Sequence, residues 1–320
     1  MTFHSILFER IEDGTSKETP EVPTFFGDLN LDQIIDAITA GRQEYNLKPF
    51  FNTALHDVDA ILYRQEIMQD LESEAVYACL TGFASSLRAM RKHLAQTEKL
   101  YYTYQKERWF LEAVEMYCDA VNRLVSDLAQ FDLKSRGLRA FRDYVTDYAA
   151  AEYFTTLQAT MRQLLIDLGA VKYCLLIKDS TIKVRQYDGE TDYSADVEAT
   201  FEKFKLGAVK DYRVKLNEWV HMNHVEAKIL ELVAQLYPEI FARLDDFCAR
   251  HQQYLDDTLA RFDREVQFYL AYLDHLSGFK HAGLKFCYPQ VSNTSKAIYA
   301  AETFDLALAN QLVNGHSTIV

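Results

Sequence analysis

A chain of 320 residues that is 49% hydrophobic and 25% charged, with only 11 Gly and 5 Pro, is globular, large enough for more than one core and poor in helix breakers. Its net charge of -13 repels phosphate backbones on average, so any nucleic-acid contact needs a local basic patch. No run approaches the roughly 18 apolar residues of a spanning helix, and the start lacks the basic region and long apolar stretch of a signal peptide, which implies a cytoplasmic protein with no membrane partner.

The five cysteines, Cys79, Cys118, Cys174, Cys248 and Cys287, are widely spaced and odd in number, so they form neither a disulfide framework nor a Cys-x-x-Cys metal site. Residues 1–30, with Gly14, Pro20, Pro23 and Gly27, read as irregular. A short helix over 31–45 follows, with Leu31, Ile34, Ile35 and Ile38 on its apolar side and Asn30 as its cap. From His56 to about Asp132 only Gly82 interrupts helical composition. Within that run, Phe110, Val114, Tyr117, Val121, Leu124, Leu128 and Phe131 alternate steps of four and three, which is a heptad seam.

A further helix is expected over 138–168, ending at Gly169. The composition then turns β-like: runs 171–177 and 181–187 flank Asp179-Ser180 as a hairpin. A short helix at 194–206, the stretch "VKDYRVKL" and a returning helix from near His221 complete the excursion. A second seam, Leu255, Leu259, Phe262, Val266, Tyr269, Leu273 and Leu276, runs to Gly278; a helix starting after Pro238 would be about 60 Å long at about 1.5 Å per residue. The chain closes with a short helix around 304–312 and an apolar "STIV" that reads as the start of a strand.

No Gly-x-x-x-x-Gly-Lys-[Ser/Thr], Gly-x-Gly-x-x-Gly or Gly-x-Ser-x-Gly motif occurs, so nothing in this chain wraps a nucleotide phosphate and no catalytic residue is assigned. His221, His224 and Glu226 fall within six residues, but Glu226 lies on a different helix face from His224, which favours a capping role over a metal site. Asp274, His275 and His281 resemble part of a His-Asp metal phosphohydrolase set, yet they flank a packing stripe. The acid pairs Asp256-Asp257, Asp245-Asp246 and Asp57/Asp59 diverge by about 100° per residue and suit helix starts and solvated faces. Between Phe201 and Lys215, five basic residues, Lys203, Lys205, Lys210, Arg213 and Lys215, stand against two acidic ones, a local balance of +3 interleaved with Phe201, Phe204 and Tyr212. Such a stretch can contact phosphates, or form an ordinary solvated face.

The segments "LNLDQIIDAI" and "YNLKPFFNTALHDVDAILYRQEIMQDLE", with Leu55, Asp57, Ile61, Arg64 and Gln65, resemble the start of the helical core and lever region of MutS-family DNA mismatch repair ATPases. A second stretch, with Leu273, Asp274, Leu276 and Ser277, is similar to the end of that family's returning lever helix, and Tyr288-Pro289 sits where the family chain turns toward its ATPase.

The resemblance implies a mainly α protein: an irregular segment (1–30), a helical core with outgoing lever helices (31–170), a small β-containing clamp-like insertion (171–216), a returning lever helix (217–282) and a connector (283–320). It implies double-stranded DNA as partner, with Lys203, Lys205, Lys210, Arg213 and Lys215 as the clamp residues that touch it. ATP and Mg are implied for a full-length parent, together with a homodimer formed through an ATPase that this stretch stops short of; no cofactor or metal is expected in the chain itself. The sequence departs from the family in lacking a mismatch-reading domain, and its one Phe-x-Glu, Phe110-Leu111-Glu112, lies inside a heptad helix. The readings kept beside it are a free-standing helical scaffold, with the seams as intermolecular surfaces, and a metal-dependent hydrolase using His221, His224 or His275.

Overall fold

The computed structural model describes residues 3–10, 21–178, 181–189 and 222–314. Within them the protein is mainly helical, with eleven α-helices and one two-stranded antiparallel sheet. Helix α1 (Leu31–Thr39) buries Ile34, Ile35 and Ile38, as their spacing requires. It stops short of residue 45 because Gly41 takes a left-handed φ of 75°, and a 3-10 turn, Gln43–Tyr45, follows. Asn30 precedes α1 without capping it: its own φ is 53°, and its Oδ1 accepts from Gln33 Nε2 at 3.3 Å. Helix α2 (Lys48–Asn52) carries Pro49 in its first turn, where the missing N–H costs no helical bond.

The run expected from 56 to 132 is three helices, α3 (Val58–Leu71), α4 (Glu74–Thr97) and α5 (Thr103–Leu128), and Gly82 lies inside α4. Neither break uses Gly or Pro. At the first, Glu72 and Ser73 turn through bonds to the carbonyls of Gln69 and Asp70. At the second, Leu100 is buried, so packing overrides helical propensity.

The helix expected over 138–168 is likewise two, α6 (Arg136–Ala150) and α7 (Glu152–Gly169), separated by Ala151 in an extended conformation. Ser135 starts α6 by accepting from Leu138 N at 3.3 Å, while Asp70 accepts from Lys134 N and Ser135 N at 3.0 and 2.8 Å. Gly137 is required by close approach: a Cβ there would stand 2.6 Å from Ile67 Cδ1 and 2.8 Å from Tyr63 Oη. The hairpin forms as expected, β1 (Tyr173–Lys178) pairing with β2 (Thr181–Gln186) from Tyr173 opposite Gln186 to Lys178 opposite Thr181. Asp179-Ser180, the helix expected at 194–206, "VKDYRVKL" and "STIV" lie outside the described residues.

The return is α8 (His224–Leu236), α9 (Pro238–Arg250) and α10 (Asp257–His281), so the single 60 Å helix does not form. Asp256 opens α10 by accepting from Leu259 N at 2.9 Å, which is the local reason for the break. Helix α10 runs through Gly278 and ends before Gly283, whose φ is 87°. Helix α11 (Leu306–Asn314) follows an irregular connector.

Both seams are buried within this chain: Val114, Tyr117, Val121, Leu124 and Leu128 in α5, and Leu259, Phe262, Val266, Tyr269 and Leu276 in α10. Phe262 stacks on Phe141 of α6 with ring centroids 3.4 Å apart. The chain divides into two compact units: unit 1 comprises Met1–Arg91, Met116–Thr156 and Gln253–Val320, and unit 2 comprises Lys92–Glu115 and Leu157–Gln252. Three of the four divisions fall within α4, α5 and α7, and the fourth between α9 and α10. No helix among the described residues is long and apolar enough to cross a membrane.

Candidate functional site

Asp57 starts α3 in an extended conformation and accepts from Asp59 N at 3.3 Å. From there Ile61, Arg64, Gln65 and Met68 recur at helical spacing along one side of α3, and Leu273, Leu276 and Lys280 do the same on α10. These two stripes and the connector residues Phe286 to Pro289 line one cavity of about 290 Å³ in unit 1, which Leu55 also borders. Three separated stretches picked out by the sequence therefore meet at one place. Tertiary structure is needed to see it, because more than 200 residues lie between Gln65 and Leu273.

Several polar groups of the wall have positioning contacts. Arg64 Nε donates to Leu7 O at 3.0 Å, and its guanidinium lies over the rings of Phe8 and Phe268 at 5.0 and 5.5 Å. Burial lowers the Arg64 pKa, while the charges of Tyr269 and Glu265 support the cation. Gln65 Nε2 donates to the carbonyl of Pro289 at 3.0 Å and so ties the connector to α3. Lys280 Nζ lies 3.3 Å from Glu72 Oε1, and burial, followed by the charge of Glu72, raises the pKa of the Tyr288 hydroxyl.

A second layer is absent from the sequence expectation, which leaves residues 1–30 irregular. Phe3, Ser5, Ile6, Leu7 and Phe8 are buried. Ser5 Oγ donates to Glu265 Oε1 at 2.8 Å and Ile6 N to Glu265 Oε2 at 3.0 Å, while Tyr63 and Tyr269 donate to the carbonyls of Ser5 and Ile6, each at 2.6 Å. Burial pushes the Glu265 carboxyl up to about 7, against the bonds from Ser5 and Ile6 that pull it down. The available signal was the apolar run Phe3, Ile6, Leu7, Phe8.

Several of the remaining candidates have structural roles. Glu226 accepts from Asn223 N at 2.9 Å while Asn223 Oδ1 accepts from Glu226 N at 3.0 Å, a reciprocal cap for α8. His221 lies outside the described residues. Asp274 is bonded by Arg42 and by the Tyr77 hydroxyl, His275 meets the edge of the Phe279 ring, and His281 Nδ1 donates to Ser277 O at 2.7 Å. Asp246 pairs with Arg250 at 2.8 Å. No group of three or more His, Cys, Asp or Glu among the described residues is placed to hold a metal ion. Lys203, Lys205, Lys210, Arg213 and Lys215 all lie outside the described residues.

The described chain is mainly helical, and its distant motif residues close on one cavity. The family described as the MutS2 N-terminal domain matches residues 56–178, from just before the Asp57 cap to the end of β1. That stretch is similar to a MutS2-family N-terminal region, and the match points to a MutS-related protein. No curated protein and no solved structure matches the chain.

Proposed function

We propose that the chain is the core and lever module of a MutS-like DNA repair ATPase, passing conformational change between a DNA-contacting clamp and an ATPase carried elsewhere in the full-length protein. The observation that carries this reading is the convergence of Leu55, Ile61, Arg64, Gln65, Leu273, Leu276, Tyr288 and Pro289 on one cavity. The resemblance drawn from spaced residues thereby corresponds to a physical joint, where the bond from Gln65 to Pro289 ties the connector to the helical core. The match over 56–178 supports the MutS-related part independently. A displacement of the connector would reach α3 through that bond and α10 through the shared apolar wall, the kind of packed element that has two discrete arrangements.

In this reading Lys203, Lys205, Lys210, Arg213 and Lys215 are the DNA-facing residues, ATP and Mg belong to the full-length protein, the ATPase forms the homodimer, and this stretch itself breaks no bond. Replacement of those five residues by Glu is expected to abolish duplex binding, and wild-type affinity is expected to fall steeply with salt. Unchanged binding would remove the clamp. In the full-length protein, Gln65→Ala is expected to leave DNA binding and basal ATP hydrolysis in place and to weaken stimulation of hydrolysis by DNA; unaltered stimulation would remove the joint from the coupling path. Burial of both seams inside one chain weighs against the free-standing scaffold. A full reading frame without a nucleotide-binding loop would restore it.

A further inference from the structure

Unit 2 contains a cavity of about 560 Å³ that the coupling reading does not use. Its walls include Tyr101 and Tyr102 from the turn between α4 and α5, Tyr104 from the first turn of α5, and Glu231 and Asp245 from α8 and α9. No Lys or Arg lines it among the described residues. The rings of Tyr101 and Tyr102 stand at 87° to each other with centroids 5.1 Å apart, forming a right-angled aromatic corner, and Tyr101 is 85% exposed. Tyr104 fixes the base of that corner by packing edge-on against the buried Phe241, with centroids 4.9 Å apart.

The charge on the opposite wall has a definite sign. Glu231 is already paired with Lys228 at 2.7 Å, but Asp245 has no cationic partner among the described residues and instead faces Glu107. Burial, followed by the hydrogen bond and charge of Asp245, pushes the Glu107 carboxyl up to about 8. Electron-rich tyrosine rings and acidic side chains around a cavity that no Lys or Arg lines among the described residues attract an organic cation, repel anions and give a neutral molecule of the same shape no comparable gain.

We propose that this cavity is a binding site for an alkylammonium group, held by Tyr101, Tyr102 and Asp245. The group can come from a free quaternary amine or from a methylated lysine side chain of a partner protein, and the test separates the two. The full chain is titrated with choline, with its neutral carbon isostere dimethylbutanol, and with a short peptide carrying trimethyllysine, following binding by NMR line shifts of the ligand methyl groups. Choline or the peptide is expected to bind saturably, with the neutral isostere weaker by about fivefold or more. Tyr101→Ala and Asp245→Asn should each weaken binding by about fivefold, and the exposure of Tyr101 makes its removal harmless to folding, as an unchanged circular dichroism spectrum would verify. Tighter binding of the peptide assigns a protein side chain, and tighter binding of choline assigns a free amine. Equal binding of the neutral isostere, indifference to both substitutions, or absence of saturable binding would overturn the site.

Discussion

Unit 1 holds Ser5, Thr39, Asn52, Thr53, Ser135, Asp263, Glu265 and Gln267 buried in its interior, whereas the buried polar side chain that the described part of unit 2 offers is Thr97. The Thr97 hydroxyl only bonds back to His93 O in its own helix, at 2.9 Å. In unit 1 Thr39 and Thr53 bond back in the same way, to Ile35 O and Pro49 O, but other buried groups join distant elements, as Ser5 joins Glu265 and Arg91 joins Asp263. Sliding a helix of unit 1 by one residue would strand a buried donor or charge, at about 1–3 kcal/mol for a neutral group and more for an ion. The same slide in the described part of unit 2 would break mainly exposed polar links, such as Arg243 to Asp167. Polar wiring therefore fixes the register of unit 1 more firmly than that of the described part of unit 2.

The strongest way to break the comparison is Phe262→Ala, which removes a fully buried ring stacked on Phe141 and is expected to cost about 3–5 kcal/mol in denaturant unfolding. A loss under 1 kcal/mol, on the order of a surface change, would mean that the interior of unit 1 is not packed as described. Next in size is the pH response of Glu265. Its folded pKa, about 7, lies above the ordinary carboxyl value of 4.5, so between these values the folded state holds more protons than the unfolded chain. Stability from this group is fully present below the unfolded value and is lost as pH rises through the folded one. Comparing unfolding free energies of wild type and Glu265→Gln from pH 4.5 to pH 8 should show wild type losing ground as pH rises. Parallel profiles would refute the buried setting of Glu265.

Two smaller substitutions sharpen the contrast. Ser5→Ala deletes the partner of Glu265 Oε1 and of the backbone N–H groups of Leu7 and Phe8, and is expected to cost about 1–3 kcal/mol. Thr97→Val deletes a hydroxyl that serves only its own helix and should cost less than about 1 kcal/mol. If the two losses measured by thermal unfolding were equal, polar wiring would not be what distinguishes the units.

Apolar spacing made the seams legible, and the β-type runs made the hairpin legible, because both patterns are local. The helix breaks were not, since 72–73, 98–102 and 251–256 contain neither Gly nor Pro. They are set by capping and packing, as at Asp256 and Leu100. Leu55, Ile61, Arg64 and Gln65 stood out as a pattern, but their meeting with Tyr288 and Pro289 is a tertiary fact. The tyrosines of the turn between α4 and α5 drew no attention, because their partners lie on helices more than 100 residues away.

The bond between Ser5 and Glu265 also sets a clock. The two residues are 260 positions apart, so the N-terminal segment has no seat until α10 has been made. At about 5–20 residues per second, that leaves an apolar stretch waiting on the order of ten to fifty seconds during synthesis. Closing so long a loop comes late on entropic grounds as well. A stretch made 260 residues before its partner is thus among the last to be buried, and "FHSILF" is a stretch through which a chaperone can hold the nascent chain.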